Sequence, residues 1–304
     1  MTSLFDSYIM VDWSASSTPV KGANSIWIGH LQWGRNDASL YRSVNPHTRH
    51  AAFREIKFIL TEMQRRGART LLGFDFALGY PAGTADALGL DVGDAAPWQQ
   101  LFRLLTDRIE DSNTNRNNRF AVASDLNRQI SNGAHPFWGV PPQQTTPFLK
   151  AGKGNFDQPG SPQQHRLTEA WIRQHFRGSP KSVWQLAYTG SVGSQSLMGI
   201  PILETLRSEI PNTQLWPFET GLRSLHQEDV PPGSTLIAEI YPSILNPSLR
   251  EGDVLDSAQV RALTYHFSQA DQAGRLSTAF SGDNSLSARK RAQIEQEEGW
   301  ILAI

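Results

Sequence analysis

Three acids stand in runs of sequence that should exclude charge. In SYIMVDWSAS (7–16) Asp12 follows Ile9, Met10 and Val11. In LLGFDFALG (71–79) Asp75 follows Leu71, Leu72 and Phe74, and in LIAEIYPS (236–243) Glu239 follows Leu236, Ile237 and Ala238. An ionised carboxylate in apolar surroundings is costly unless something pairs with it. Each acid comes late in its run, just before a turn, and sites in open α/β sheets form in the crevice beyond the strand ends. Neighbouring strands lie ~4.8 Å apart, so three adjacent strands would gather these carboxylates within a few ångströms. Gathered carboxylates repel, and either one takes a proton or a cation joins them. Mg²⁺ and Mn²⁺ suit such oxygen ligands. Two such ions ~3.5–4 Å apart can activate a water and stabilise a leaving oxygen on phosphorus. Taken singly, each acid has a plainer role as a turn cap or the partner of an arginine.

A fourth acid is expected on the last long helix. Asp271, in SQADQAGRLSTAF, has Ala270, Ala273 and Leu276 marking a packed face beside it, whereas Asp256, before SAQVRAL, reads as that helix's N-cap. YTGSVGSQSLMGIP (188–201) is a Gly/Ser loop entering a predicted helix, where backbone N–H groups can hold a phosphate. Ser191, Gly193 and Ser194 are its candidate phosphate-binding residues, with an ordinary capped turn as the alternative. Neither this loop nor KAGKGNF (150–156) matches the P-loop pattern. There is no H-E-x-x-H zinc motif and no G-x-S-x-G nucleophile elbow. His47 and His50 share the first turn of a predicted helix, and Trp138 in HPFWGVPP either stacks on a base or anchors a Pro-rich loop.

These residues need rigid supports. YIMVDWSA (8–15), SIWIGHLQW (25–33) and SLYRSV (39–44) read as a meander of strands. HTRHAAFREIKFILTEMQRRG (47–67) has helical spacing and a glycine stop, and it crosses to a parallel strand in TLLGFDFALGYP (70–81). Residues 81–232 read as a mostly helical and loop insertion, with helices near 97–110, 162–176 and 194–209 and a long loop over 139–162. STLIAEIYPS (234–243) returns to strand, and a helix is expected over 256–280. The pattern predicts an α/β fold: one domain over 1–304, with a mixed sheet of five strands flanked by helices.

Composition narrows the classes. The chain has 304 residues, 39% of them hydrophobic and 19% charged, which suits a folded protein with a sizeable core. Cysteine is absent, which excludes disulfides, thiolate metal sites and cysteine nucleophiles. The net charge of −1 lacks the basic surplus of proteins that grip long duplex nucleic acid. No run approaches the ~20 apolar residues that span a bilayer, so no membrane partner is expected. The acidic, uncleavable-looking start MTSLFDSYIM leads us to expect a cytoplasmic protein.

VDWSAS, GFDFALGYP, AEIYPS and the terminal EGWI together resemble domain-of-unknown-function family 429, described as predicted nucleases of RNase H-like fold. The resemblance touches both ends of the chain and skips much of the middle. It implies an RNase H-like core and an acidic site at Asp12, Asp75 and Glu239. Asp271 matches less closely, since the expected "DA" reads DQA here. The expectation is a Mg²⁺- or Mn²⁺-dependent nuclease or related phosphoryl-transfer hydrolase, with a nucleic acid or phosphorylated small molecule as partner. Two other readings stand beside it. One is a nucleotide-dependent kinase or ATPase of the sugar-kinase and actin type, because DWSASST (12–18), with Ser14, loosely resembles that group's first phosphate loop. The other is a non-catalytic or small-molecule-binding protein on the same fold.

Overall fold

The computed structural model describes residues 3–33, 39–90, 93–157, 160–176, 179–188 and 190–303. Residues 158–159 of the predicted long loop and Thr189 of the Gly/Ser loop lie outside them.

Strands β1 (Ser7–Asp12), β2 (Trp27–Trp33) and β3 (Ser39–Val44) form the antiparallel meander. Helix α1 (Arg49–Arg65) buries Ala52, Ile56, Ile59, Leu60 and Met63 at 3–4 residue spacing. Its N-cap Thr48 accepts the Ala51 amide at 3.2 Å, and the chain turns away at Gly67 with φ +69°. It delivers the chain to β4 (Thr70–Phe74), parallel to β1.

The segment 81–232 then supplies α2 (Thr84–Ala87), α3 (Pro97–Arg108), α4 (Arg119–Ser131), α5 (Leu167–His175), α6 (Gly193–Glu209) and β5 (Thr213–Leu215). β6 (Thr235–Glu239) pairs with β4 on one side and β5 on the other, both parallel. The sheet order is β3-β2-β1-β4-β6-β5. Six strands replace the expected five because β5 is a three-residue edge strand, too short for alternation to mark it. α4 is also additional to the sequence expectation. Its sequence is mostly polar, and it is held by the fully buried Asn127, which bonds both ways to Phe137 and donates to the Phe148 carbonyl. Trp138 is half-buried against the core and gives its amide to the Trp184 carbonyl at 3.0 Å, so it is no exposed platform.

Alternation along the strands splits the core into two layers. Ile9, Val11, Leu72, Phe74 and Ile237 pack with α1, α3 and α6 on one face. Tyr8, Met10, Leu71, Leu236 and Ala238 pack on the other with α7 (Leu255–Gln272). The helix expected over 256–280 breaks at Gly274 (φ +71°) and resumes as α8 (Leu276–Ala279). Glycines allow close approaches between elements, Gly29 and Gly199 among them. A Cβ on Gly29 would sit 2.9 Å from Thr264 Oγ1, so its absence lets α7 lie directly on β2. A Cβ on Gly199 would sit 2.1 Å from the Phe76 ring, so the residue after Asp75 seats on α6.

The chain closes with α9 (Ala288–Gln293) and one wide turn, Ile294–Glu298. Glu297 accepts the Gly83 and Ala85 amides, and Glu298 accepts those of Ala82 and Leu167. Acids at helix starts satisfy amides that have no partner within the helix. The terminal motif thus fastens the openings of α2 and α5.

Candidate functional site

Register decides which acids meet. Val11 lies opposite Phe74 across β1 and β4, and the Asp75 amide continues the ladder to the Val11 carbonyl at 3.3 Å. Asp12 and Asp75 therefore occupy the next row together, on one face, about 4.8 Å apart along the hydrogen-bond direction. Phe74 pairs with Glu239 across β4 and β6. Glu239 is thus one row short of Asp75.

The partner of Glu239 is Arg166, and the expected convergence of three acids is corrected accordingly: Glu239 borders Asp75 in a cavity that Arg166 and Glu169 also line, but it is held by the arginine. Arg166 donates to both Glu239 oxygens at 2.6 and 2.7 Å, and the Leu78 amide adds a third bond at 3.0 Å. The same guanidinium holds Glu169 at 2.5 and 2.9 Å, and all three side chains are fully enclosed. Burial pushes the Glu239 carboxyl up, and Arg166 and the Leu78 amide pull against it. Its oxygens are committed to this ion pair.

Asp271 is also misplaced by the sequence expectation. Its carboxylate accepts the Leu4 and Phe5 amides at 2.9 and 2.8 Å and the Tyr8 hydroxyl at 2.6 Å. It clasps the N-terminal segment at the start of β1, whereas Asp12 ends that strand. Asp256 is in the first turn of α7 rather than at its N-cap, which is Val254. Its carboxylate accepts the Asn24 amide at 2.6 Å, and it lines the same cleft as Asp12 and Asp75. Helix geometry explains the exchange: fifteen residues separate the two acids, about 22 Å along α7.

The cleft has a volume of about 550 Å³. Asp75 Oδ1 accepts the Trp13 amide at 2.7 Å, which orients the carboxylate toward the end of β1. Asp12 accepts no hydrogen bond from the described residues. Burial first, then the charges of Asp75 and Asp256, push its carboxyl well above the usual range. Burial likewise pushes Asp75 up to about 7, opposed by the Trp13 amide and its own backbone amide and aided by Asp256 and Glu239.

Arg119, at the start of α4, is the cation of the cleft and was not anticipated. Its guanidinium donates to Ser194 Oγ (3.0 Å), Ser17 Oγ (2.9 Å) and Asn117 Oδ1 (2.8 Å), all neutral oxygens, and lies over the Phe120 ring. Among the described residues it has no carboxylate within ion-pair distance. Burial, then the nearby charge of Arg49, pulls it down to about 10, which leaves it charged at neutral pH. Ser194 and Ser191 are two of the predicted phosphate-binding residues. Ser194 positions Arg119 and gives its own hydroxyl proton to the Leu186 carbonyl at 2.6 Å, whereas Ser191 lines the cleft. The Gly193 amide is taken by the Gln185 carbonyl at 3.0 Å. Ser14 lines the cleft and accepts the Ser16 amide at 3.3 Å. Gln195 reaches back from α6 to the Trp13 carbonyl.

Among the described residues, no three His, Asp or Glu side chains are grouped closely enough to cage a metal ion. Of the four predicted acids, Asp12 and Asp75 share the cleft with Asp256, Glu239 is paired with Arg166, and Asp271 lies at the start of β1. A pair is what Mg²⁺ needs, since it commonly takes one or two carboxylates and completes its shell with water and substrate phosphate. The mutual repulsion of the pair is what a cation would relieve. Among the described residues, no helix is long and apolar enough to cross a membrane. No protein-family model, no curated protein and no solved structure matches the chain.

Proposed function

We propose that the protein is a divalent-metal-dependent hydrolase of phosphate esters, a nuclease or a related phosphoryl-transfer enzyme, built on an RNase H-like core. The meander, the crossover through α1 and the parallel β4 and β6 support that core. One observation carries the reading: two half-buried, mutually repelling carboxylates at the ends of adjacent parallel strands open into a cleft whose other wall holds a cation with no acid partner among the described residues.

Asp12 and Asp75 would hold Mg²⁺ or Mn²⁺. Such an ion, when bound, supplies Lewis-acid polarisation of a phosphoryl oxygen and lowers the pKa of a bound water. The protein contributes the rest. The Trp13 amide fixes Asp75, Asp256 adds negative charge that favours a cation, and Arg119 offers N–H donors to the phosphoryl oxygens. An Asp75 near pH 7 exchanges its proton readily in the working range, and this suits it to cation uptake with proton release.

The test is calorimetric titration of Mg²⁺ and Mn²⁺ into the wild type, Asp12→Asn and Asp75→Asn. Each substitution should lower affinity at least tenfold. Equal affinity in all three would remove the site. The commitment of Glu239 to Arg166 favours a second reading, a protein that binds a phosphorylated ligand without cleaving it. Metal-dependent phosphate binding with no hydrolysis of single strands, structured RNA or nucleotides would select it.

A further inference from the structure

Tyr188 is out of place by two measures. It is 57% exposed, although it carries a large ring, and its backbone holds φ +80°, a left-handed conformation that side chains rarely adopt. Of the exposed large apolar side chains among the described residues, it is the one that lines the acid-bearing cleft. The Leu186 amide is bonded to Trp138 and the Leu186 carbonyl to Ser194, while the Gln185 side chain holds the Ala187 carbonyl at 3.1 Å. The Ser191 amide closes the turn on the Tyr188 carbonyl at 3.1 Å. Backbone conformations that cost energy in this way cluster at active sites and ligand clamps.

An exposed aromatic face beside a phosphate-compatible site matches one kind of ligand chemistry. Bases stack on aromatic side chains, and such stacking tolerates any base because every base has a π-face. We propose that Tyr188 stacks on an unpaired nucleobase whose phosphate lies at the acid pair and Arg119, so that the cleft takes free nucleotides or single strands in preference to duplex. This rests on the metal-dependent reading of the acid pair. Three further features agree with it. A base within a duplex is covered on both faces and must be unstacked before Tyr188 can reach it. Among the described residues lining the cleft the only cation is Arg119, too little to track the many phosphates of a duplex. The cleft volume is in the range of small-ligand sites.

The experiment measures equilibrium binding with Ca²⁺, a hard cation with the same oxygen preference. The probes are thymidine 5′-monophosphate, ribose 5-phosphate, a single-stranded oligothymidylate of about 20 residues and the duplex it forms with its full-length complement. In the wild type the base should tighten binding about fivefold or more over ribose 5-phosphate, and the strand should bind more tightly than the duplex. Tyr188→Ala should erase the advantage of the base, and Tyr188→Gly, which also relaxes the left-handed backbone, should do the same. Tyr188→Phe should keep it. Tighter binding of the mononucleotide or of the strand identifies which source the cleft prefers, and both support the proposal. Retention of the base advantage in the Ala and Gly variants would overturn it, as would duplex bound as tightly as single strand. Base-dependent binding that ignores metal and Asp12→Asn would remove the acid-site reading and leave the Tyr188 platform standing. Binding of none of the probes would overturn both.

Discussion

Asp75→Asn separates an acid kept for a cation from one kept for structure. The amide retains an Oδ1 acceptor for the Trp13 amide, so the local fold keeps its 2.7 Å bond. What disappears is a carboxyl raised from 3.8 to about 7. The sign follows from linkage. A carboxyl raised in the folded state holds its proton better there than in the unfolded chain. Its contribution to stability is complete below about pH 4 and is lost as pH rises through about 7. At pH 8 the metal-free wild type therefore carries the full penalty and the Asn variant carries none. The full shift corresponds to an upper bound of about 4 kcal/mol. Asp75 keeps contact with solvent and shares its repulsion with Asp12, so about 1–2 kcal/mol is the expected gain. For a chain of this length that is a rise in Tm of about 2–3 °C at pH 8, shrinking toward zero at pH 4.5. The assay is thermal unfolding by circular dichroism across that pH range, with and without Mg²⁺. Mg²⁺ at about one hundred times its Kd should add about 2.7 kcal/mol to the wild type at pH 8 and much less to the variant. A metal-free variant no more stable than the wild type at pH 8, or an equal response to Mg²⁺ in both, would refute the reasoning.

Four further outcomes are expected. Arg166→Met leaves Glu169 and Glu239 enclosed without their cation, and urea unfolding should register a loss of about 3–5 kcal/mol; Glu239→Gln should leave Mg²⁺ affinity within about twofold of wild type in the calorimeter. Asp271→Ala strips acceptors from the Leu4 and Phe5 amides and the Tyr8 hydroxyl and should cost about 2–4 kcal/mol in the same unfolding assay, with an unchanged response to Mg²⁺. Arg119→Gln should weaken binding of inorganic phosphate in the presence of Mg²⁺ about tenfold or more by calorimetry, with unchanged affinity for the metal alone.

Much of the sheet was legible because local pattern controls it. The apolar runs around Asp12, Asp75 and Glu239 each became a strand, and the 3–4 spacing after Thr48 became α1. β5 and α4 were not legible. Three residues hold no periodicity, and α4 is secured by the long-range bonds of Asn127 rather than by a wide apolar stripe. Arg119 left no local signal, since its meaning depends on Ser194, 75 residues away in the chain.

That acids sit at the ends of buried strands is readable without coordinates, because a charge stands out in an apolar run. Tertiary structure alone decided which of them share a site. Asp12 and Asp75 fall in one row, while Glu239, a single residue short of that row, borders Asp75 in a second cavity and is neutralised there by Arg166, 73 residues away in the chain. The packing of α7 on Gly29 brings Asp256 to the cleft and carries Asp271 to the far end of the strand. Register and helix direction are set by contacts distant in sequence, and no local pattern encodes them.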